Sequence, residues 1–375
     1  MKIPFNKSTN YFLKSINLSK LNSLDTNGKF SKKCEIFLKN KYKSKKVLMT
    51  NSCTSALEIC SYLLKIKKND EIIFPNYTYV TTANAFVSKG VIPIFSDIRP
   101  DTLNIDENKI SELINKKTKA IVINHYGSIN SKVEKISKIC KKNKIVLIED
   151  IADSIFSKIG NRYLGSYGDL ATISFHQTKV ISCGMGGALL INKKKYITDA
   201  LNILNKGTNR HQFEEKKIKK YNWVSLGSSF GLSEIHAKIL FENLKNYKKI
   251  INQRVKAFNI YHKNLKTLEN DNFIQLPLKK KDNKINGVLF FIIVKKEKDR
   301  DKLINYLKNN KIHSVSHYEV LNKSPFYKKN FIIKTKTMVS DNYSKKILRL
   351  PMFLGIKFSE QKKIIETIKR YFSNV

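Results

Sequence analysis

Ile145-Val-Leu-Ile-Glu-Asp150 and Ser174-Phe-His-Gln-Thr-Lys179 are the two stretches on which the reading of the fold turns. In the first, an unbroken aliphatic run is closed by two acids, the pattern of a strand buried on both faces with charge at its carboxyl end. In the second, the apolar run Leu170–Phe175 ends in the same way and a lysine follows within a short turn. Further apolar runs fall at Ile72–Phe74, Ile92–Phe95, Ala120–Ile123 and Ala188–Ile191. Between them lie segments of helical period. Ala56, Leu57, Cys60, Leu63 and Leu64 share one helix face, and Val133, Ile136, Ile139 and Cys140 share another. Strands alternating with helices predict an α/β fold with a mostly parallel sheet covered on both sides. In such sheets ligands sit beyond the carboxyl ends of the strands, where Asp150 and Lys179 fall.

The rest of the chain is organised differently. Asn205–Asn222 is polar and basic and reads as a long loop, followed by a helix from about Ser233 that continues past residue 260. Beyond it come the strand Val288–Val294, the helix Arg300–Asn310 and a terminal helix opened by Ser359 and carrying Ile364, Ile365, Ile368 and Phe372. These predict a small C-terminal α/β unit, residues 251–375, after a large unit, 1–250. The Lys-rich clusters near 278–284 and 295–302 read as solvated loops.

With 375 residues and 41% hydrophobic content the chain can bury a sizeable core. Lys and Arg number 71 against 30 acids, a net charge of +41. The cations run along the whole chain rather than along one stripe, which argues against a nucleic-acid binder and favours anionic, phosphorylated substrates. Five cysteines without a C-x-x-C pair point to a reducing compartment and no structural zinc. The N-terminal MKIPFNKSTNYFLKS lacks an apolar core of the signal-peptide kind, and no apolar run reaches about 18 residues. No membrane span and no metal site are expected, and the expected address is the cytoplasm.

A third stretch, Thr50-Asn-Ser-Cys-Thr-Ser55, opens an amphipathic helix, whose free N–H groups and dipole suit a phosphate. Each of the three has a plainer use: Asp150 as a helix cap, Lys179 as one surface lysine among many, residues 50–55 as an ordinary N-cap. Together, an acid, an amine and a phosphate seat are what pyridoxal phosphate (PLP) requires. Tyr79, in Pro75-Asn-Tyr-Thr-Tyr79 after another strand, can stack on its ring.

The order of these motifs resembles the DegT/DnrJ/EryC1/StrS family of PLP-dependent sugar aminotransferases, almost end to end, from Ile3-Pro-Phe-Asn6 to Tyr371. The stretches TNSCTSALE, PNYTYVTTANAF, IRPDTLNID, SFHQTK, KGTNRHQF and LGSSFGLSE resemble most the branch that aminates a dTDP-4-keto-6-deoxyhexose at C-4, with glutamate as donor, for polysaccharide or glycan assembly. The resemblance implies PLP-dependent transferase fold type I, the aspartate aminotransferase-like class. It implies that Lys179 carries the cofactor and moves the proton, and that Asp150 pairs with the pyridinium nitrogen. Thr54, the Cys53 backbone and Ser174 would hold the phosphate. Ser229 would reach the phosphate of a partner subunit in a homodimer, with Lys206, Asn209 and Arg210 beside the same interface and the substrate. His317 and Tyr318 would approach the sugar from the small domain.

Lys179 argues against the dehydratase branch of the family, which has histidine there. Three departures stand out. Asp153 replaces the usual Gln at the cofactor's phenolic oxygen; it either keeps a proton and donates to that oxygen or points away and caps a following helix. Met185 interrupts a Gly-Glu-Gly-Gly pattern. Asn286-Gly287-Val288 and Leu321-Asn322 replace His-containing segments and are expected to bear on the substrate. Alternatives are a C-3 or other nucleotide-sugar aminotransferase, or a non-catalytic relative that binds PLP or a sugar nucleotide.

Overall fold

The computed structural model describes residues 2–7 and 24–373. Its strands are β1 (Lys46–Thr50), β2 (Glu71–Pro75), β3 (Ile92–Ser96), β4 (Thr118–Asn124) and β5 (Val146–Asp150), a short hairpin of β6 (Lys158–Ile159) and β7 (Arg162–Tyr163), then β8 (Leu170–Ser174) and β9 (Gly187–Ile191). Seven of them form one sheet in the order β1-β9-β8-β5-β4-β2-β3. From β8 to β3 every pair is parallel, and only β9 runs against its neighbours. Each apolar run read from the sequence overlaps a strand. β1, Lys-Val-Leu-Met-Thr, was not singled out; a charged residue at one end and a polar one at the other leave only three apolar residues, a weak signal.

Two apolar layers cover the sheet, one built on Val47, Ile73, Ile121, Ile123, Leu147 and Ile173, the other on Leu48, Ile72, Phe74, Val122, Ile148 and Leu189. Neighbours in sequence fall in opposite layers, as the pleat demands. The helix Cys53–Leu63 buries Ala56, Leu57, Cys60 and Leu63, the face expected of it.

A second sheet follows, of β10 (Ile274–Gln275), β12 (Phe290–Val294) and β13 (Ile347–Leu350), while β11 (Asn283–Lys284) pairs with β6. On β12, Phe290, Ile292 and Val294 enter a third core with the terminal helix, Phe358–Ser373; Phe291 and Ile293 join the first layer of the large sheet. A strand apolar on both faces thus packs into two cores at once.

Three local expectations change. The long helix is two, Glu234–Lys245 and Tyr247–Asn264, broken at Asn246 (φ −99°, ψ 8°), whose side chain caps the carbonyl of Glu242 at 3.0 Å. The Lys-rich segment near 295–302 is not a loop for most of its length but opens the helix Glu297–Asn309, where Glu297 and Asp299 suit the positive end of the dipole. The segment 205–222 contains one short helix, Arg210–Glu214, that buries nothing. Among the described residues no helix is long and apolar enough to cross a membrane, and no cluster of acids, His and Cys could hold a metal. All five cysteines are free thiols.

Candidate active site

A cavity of about 510 Å³ opens at the carboxyl ends of the parallel strands. Its lining includes Cys53, Thr54, Tyr79, Asp150, Asp153, Ser174, Lys179, His317 and Tyr318, all expected from sequence. The pleat explains why the two acids ending β5 part company. Glu149 is fully buried and accepts from the N–H groups of Gly165 (2.7 Å), Tyr167 (2.7 Å) and Gly168 (2.6 Å), with His125 Nε2 at 3.0 Å. It holds a loop. Asp150 faces the cavity.

Asp150 Oδ2 accepts from Thr82 Oγ1 at 2.8 Å and Oδ1 from the Ala152 N–H at 3.0 Å. Burial pushes its carboxyl above the usual range, against those two bonds and the pull of Lys179. The plainer reading of Asp150 as a helix cap does not hold, because a series of turns follows it.

Lys179 lies at the tip of the excursion between β8 and β9, its N–H bonded to the His176 carbonyl at 2.9 Å. Its Nζ donates to Asp153 Oδ1 at 2.7 Å. Burial pulls the ammonium down, but the charges of Asp153 and Asp150 outweigh it and leave Lys179 above the ordinary lysine range. Asp153 therefore points into the cavity, and no helix follows for it to cap.

The helix Cys53–Leu63 starts at the cavity floor. Ser52 caps it, its Oγ accepting from the Ser55 N–H at 3.0 Å, and Ala56 N bonds to the Ser52 carbonyl at 3.2 Å. The N–H groups of Cys53 and Thr54 are the ones left over. Gly187 makes this approach possible: a Cβ there would lie 2.4 Å from the Ser52 carbonyl and 2.5 Å from Cys53 N. The N-cap reading holds, carried by Ser52, and the two N–H groups beside it stand where an anion could bind.

On the opposite side an aromatic wall rises. Tyr318 packs on Tyr77, Tyr79 and Tyr126 at centroid distances of 5.6, 5.9 and 6.2 Å. His317 Nδ1 meets Tyr126 Oη at 2.5 Å. Burial, then Arg349 and Lys179, push the His317 imidazole well below its usual range, so it is neutral.

The structure leaves four expected residues outside this cavity. Lys206, Arg210 and Ser229 are exposed and Asn209 is half-buried. Arg210 pairs with Glu214 at 2.9 Å, and Asn209 Oδ1 accepts from the Asn222 N–H at 2.7 Å. Ser229 is nonetheless near the phosphate seat in the chain's own topology: Asn51 N–H bonds to the Phe230 carbonyl at 2.8 Å. Of the segments expected to bear on the substrate, Asn286-Gly287-Val288 reaches the cavity through Val288, while Asn286 itself and Asn322 do not line it. Asn286 Nδ2 ties the carbonyls of Asp153 and Ile155, each at 3.0 Å, and Asn322 locks to Asn76. Val288 and the exposed Met185 do line it.

Sequence reasoning missed Phe5, Asn6, Thr82, Asn124, His176 and Arg349 among the lining residues. Thr82 was within reach: three places after Tyr79, which begins the helix Val80–Val87, it falls in the first turn. The others arrive from distant segments and leave no local signal.

The lining fits PLP. Asn124 Oδ1 and the hydroxyl of Thr172, under the cavity, are buried without a partner among the described residues. The cradle left by Gly187 exposes two helix N–H groups to an anion. Opposite them an acid and an amine stand on adjacent strand ends. A mostly parallel α/β sheet with this cavity at its carboxyl ends defines the fold type I class of PLP-dependent enzymes. The profile of the DegT/DnrJ/EryC1/StrS aminotransferase family matches residues 10–369, and the chain belongs to that family of PLP-dependent sugar aminotransferases. GDP-perosamine synthase of Vibrio cholerae is similar at 27% identity over 354 residues, 93% of either chain. UDP-4-amino-4,6-dideoxy-N-acetyl-β-L-altrosamine transaminase of Helicobacter pylori is 28% identical over 339 residues, 88% of this chain and 86% of its own. The PLP form of the Spr1654 protein of Streptococcus pneumoniae has the same fold, with a TM-score of 0.90 at 21% identity over 100% of this chain and 99% of its own.

Proposed function

We propose that this chain moves an amino group from glutamate to C-4 of a nucleotide-linked 4-keto-6-deoxyhexose, with dTDP as the nucleotide. The observation that carries the reading is the meeting of Lys179, Asp150 and the N-terminus of the helix Cys53–Leu63 in one cavity. The choice of sugar rests on the motifs TNSCTSALE and LGSSFGLSE, which resemble those of dTDP-4-amino-4,6-dideoxygalactose transaminase. The names of relatives span GDP-, UDP- and dTDP-linked sugars, and two of them give the amine at position 4.

PLP, when bound, supplies the electron sink that lets an amino group change carriers. The chain would do the rest. Asp150, kept acceptor-only by its bonds from Thr82 and Ala152, would hold a proton on the ring nitrogen. The Cys53 and Thr54 N–H groups and the Ser174 hydroxyl would bind the phosphate. Tyr79 would cover the ring. Lys179 would carry the cofactor and shuttle the proton, with Asp153 as the carboxylate that receives its charge. Asn286 would keep Asp153 in place through the backbone.

The reading includes a homodimer. Trp223 and Leu226, 79% and 68% exposed, flank the Lys206–Arg210 and Ser229 segments, an apolar surface suited to a second copy. There Ser229, Lys206, Asn209 and Arg210 would serve the neighbour's cavity. The same proposal divides the chain near residue 250, supported by the separate third core, and puts it in the cytoplasm, supported by five free thiols.

A panel of dTDP-, GDP- and UDP-4-keto-6-deoxy sugars with glutamate tests the reaction. The highest kcat/KM is expected for the dTDP sugar with the new amine on C-4. An amine on C-3, or preference for another nucleotide, overturns that part.

A further inference from the structure

The lysines at 279–284 do not simply reach into solvent. They form one side of a second cavity, of about 550 Å³, which shares no lining residue with the first. Six of its fourteen lining residues are lysine: Lys158, Lys248, Lys279, Lys280, Lys281 and Lys284. None is Asp or Glu. With 71 Lys and Arg and 30 acids in 375 residues, composition alone would put about three cations and one acid there. Among the described residues none of the six is in a salt bridge; Lys158 lies over the Tyr163 ring, 4.2 Å from its centroid, and Lys279 donates to Asn259 Oδ1 at 3.0 Å. Asp101, outside the lining, feels the charge of Lys280, but Arg99 already holds it at 2.9 Å. Like charges crowded at one mouth repel, and an anion relieves them.

The floor of this cavity is carbon. Phe156 and Tyr247 meet there with ring centroids 4.4 Å apart, beside Ile251, Val255 and Ile285. Phe156 takes φ +61°, a left-handed conformation costly for a bulky residue, and its N–H donates to Tyr42 Oη at 2.9 Å. The floor side chains are buried or half-buried and those at the mouth are amines and amides, so a lipid surface finds no apolar anchor. A small ligand with an aromatic face and several negative charges fits both parts. A base stacks on an aromatic ring whatever its identity, and phosphates suit clustered amines. The exposed Asn252 amide, without a hydrogen bond among the described residues, is in the same lining. The floor is also the back of the wall that carries Asp153. Phe156 follows Ile155, Ile285 precedes Asn286, and Asn286 Nδ2 ties the carbonyls of Asp153 and Ile155, each at 3.0 Å. We propose that this second cavity binds a nucleoside triphosphate and that its occupancy is felt at Asp153 through Asn286. The site lies beyond the aminotransferase reading and does not depend on which sugar is aminated.

The test uses the cofactor-loaded protein. Photolysis with an azido derivative of ATP, followed by peptide mapping, should place the label in segments 247–259 or 279–285. Label confined to the segments that line the first cavity overturns the site. Titration calorimetry at about 0.15 M salt then compares ATP with inorganic tripolyphosphate. Stacking on the floor should make ATP bind at least about fivefold tighter. Equal affinities would mean a basic surface that gathers any polyanion, and would overturn the assignment. The variant Lys279→Gln/Lys280→Gln/Lys281→Gln should weaken ATP binding by about tenfold or more. Lys328→Gln/Lys329→Gln/Lys336→Gln removes the same charge elsewhere and should weaken it by no more than about twofold. All six of these lysines are exposed, so both variants should fold, which circular dichroism checks. Equal losses in the two variants overturn the site as well. Hydrogen exchange reads the link to Asp153: saturating ATP should slow the amides of 153–157 by about threefold or more in wild type and leave them unchanged in the 279–281 variant. Exchange unmoved by ATP in wild type overturns that link.

Discussion

The two walls of the cavity treat charge in opposite ways. On the sheet wall every charged group is bonded. Asp150 accepts from Thr82 and Ala152, and Lys179 donates to Asp153. On the wall from the small unit, Arg349 has a ring beneath it and no acid beside it, and His317 is neutral. A bonded charge is already part of a fixed arrangement and positions a resident group. An unbonded one keeps its desolvation cost until a ligand arrives. On the proposed function, the cofactor would rest on the sheet wall and the exchanging substrates would approach from the opposite one.

The largest expected effect is on the sheet wall. Lys179→Ala should lower turnover by about a thousandfold or more, because the proton carrier is lost, while the phosphate seat still retains some PLP. Borohydride reduction of wild type followed by peptide mapping should place the cofactor on Lys179. An adduct on another lysine would dissolve the comparison at its root.

Gly187→Ala comes next. The added Cβ meets backbone at Ser52 and Cys53, not a side chain that can swing aside. The helix start must shift, at a cost of about 1–3 kcal/mol in stability, with PLP affinity falling as well. Thermal melts with and without PLP measure both; equal melts for variant and wild type would mean the seat tolerates the shift.

Asn286→Ala should cost about 1–3 kcal/mol in denaturant unfolding, since the carbonyls of Asp153 and Ile155 lose their buried donor. It should also slow PLP capture, unlike an exposed control such as Asn264→Ala. A stability loss with capture unchanged would make Asn286 a fastener of the two units and nothing more.

The smallest change in turnover, and the sharpest in pH, is expected for Asp153→Asn. In wild type the charge and hydrogen bond of Asp153, together with Asp150 and Cys53, outweigh burial and hold Lys179 above the usual lysine range. Without it burial pulls the amine down, although Asp150 and the Cys53 thiol still face it. PLP capture needs the unprotonated amine, so its pH profile should move to lower pH. Stopped-flow absorbance across pH measures this, and an unmoved profile would show that Asp153 does not hold the proton on Lys179.

The strand ends carrying Asp150 and Lys179 were legible because a parallel strand buried on both faces needs a continuous apolar run, and charge directly after such a run marks its end. The start of the helix Cys53–Leu63 was legible through its small polar residues. The break at Asn246 was not: it is a single cap inside a segment of uninterrupted helical period. The helix at Glu297 was masked by a lysine count that says nothing about backbone conformation.

Local patterns by themselves determined the sheet class and the three candidate motifs, because alternation, caps and strand ends are short-range facts of chain geometry; Asp153 stood out only through the family resemblance, with its direction left open. Only the tertiary structure decided what those motifs face. Phe5, Asn124, Val288 and Arg349 come from segments far apart in the chain, and their meeting depends on β12 burying both of its faces between two cores. Whether a buried charge has a partner is a property of that packing, and no spacing of residues along the chain encodes it.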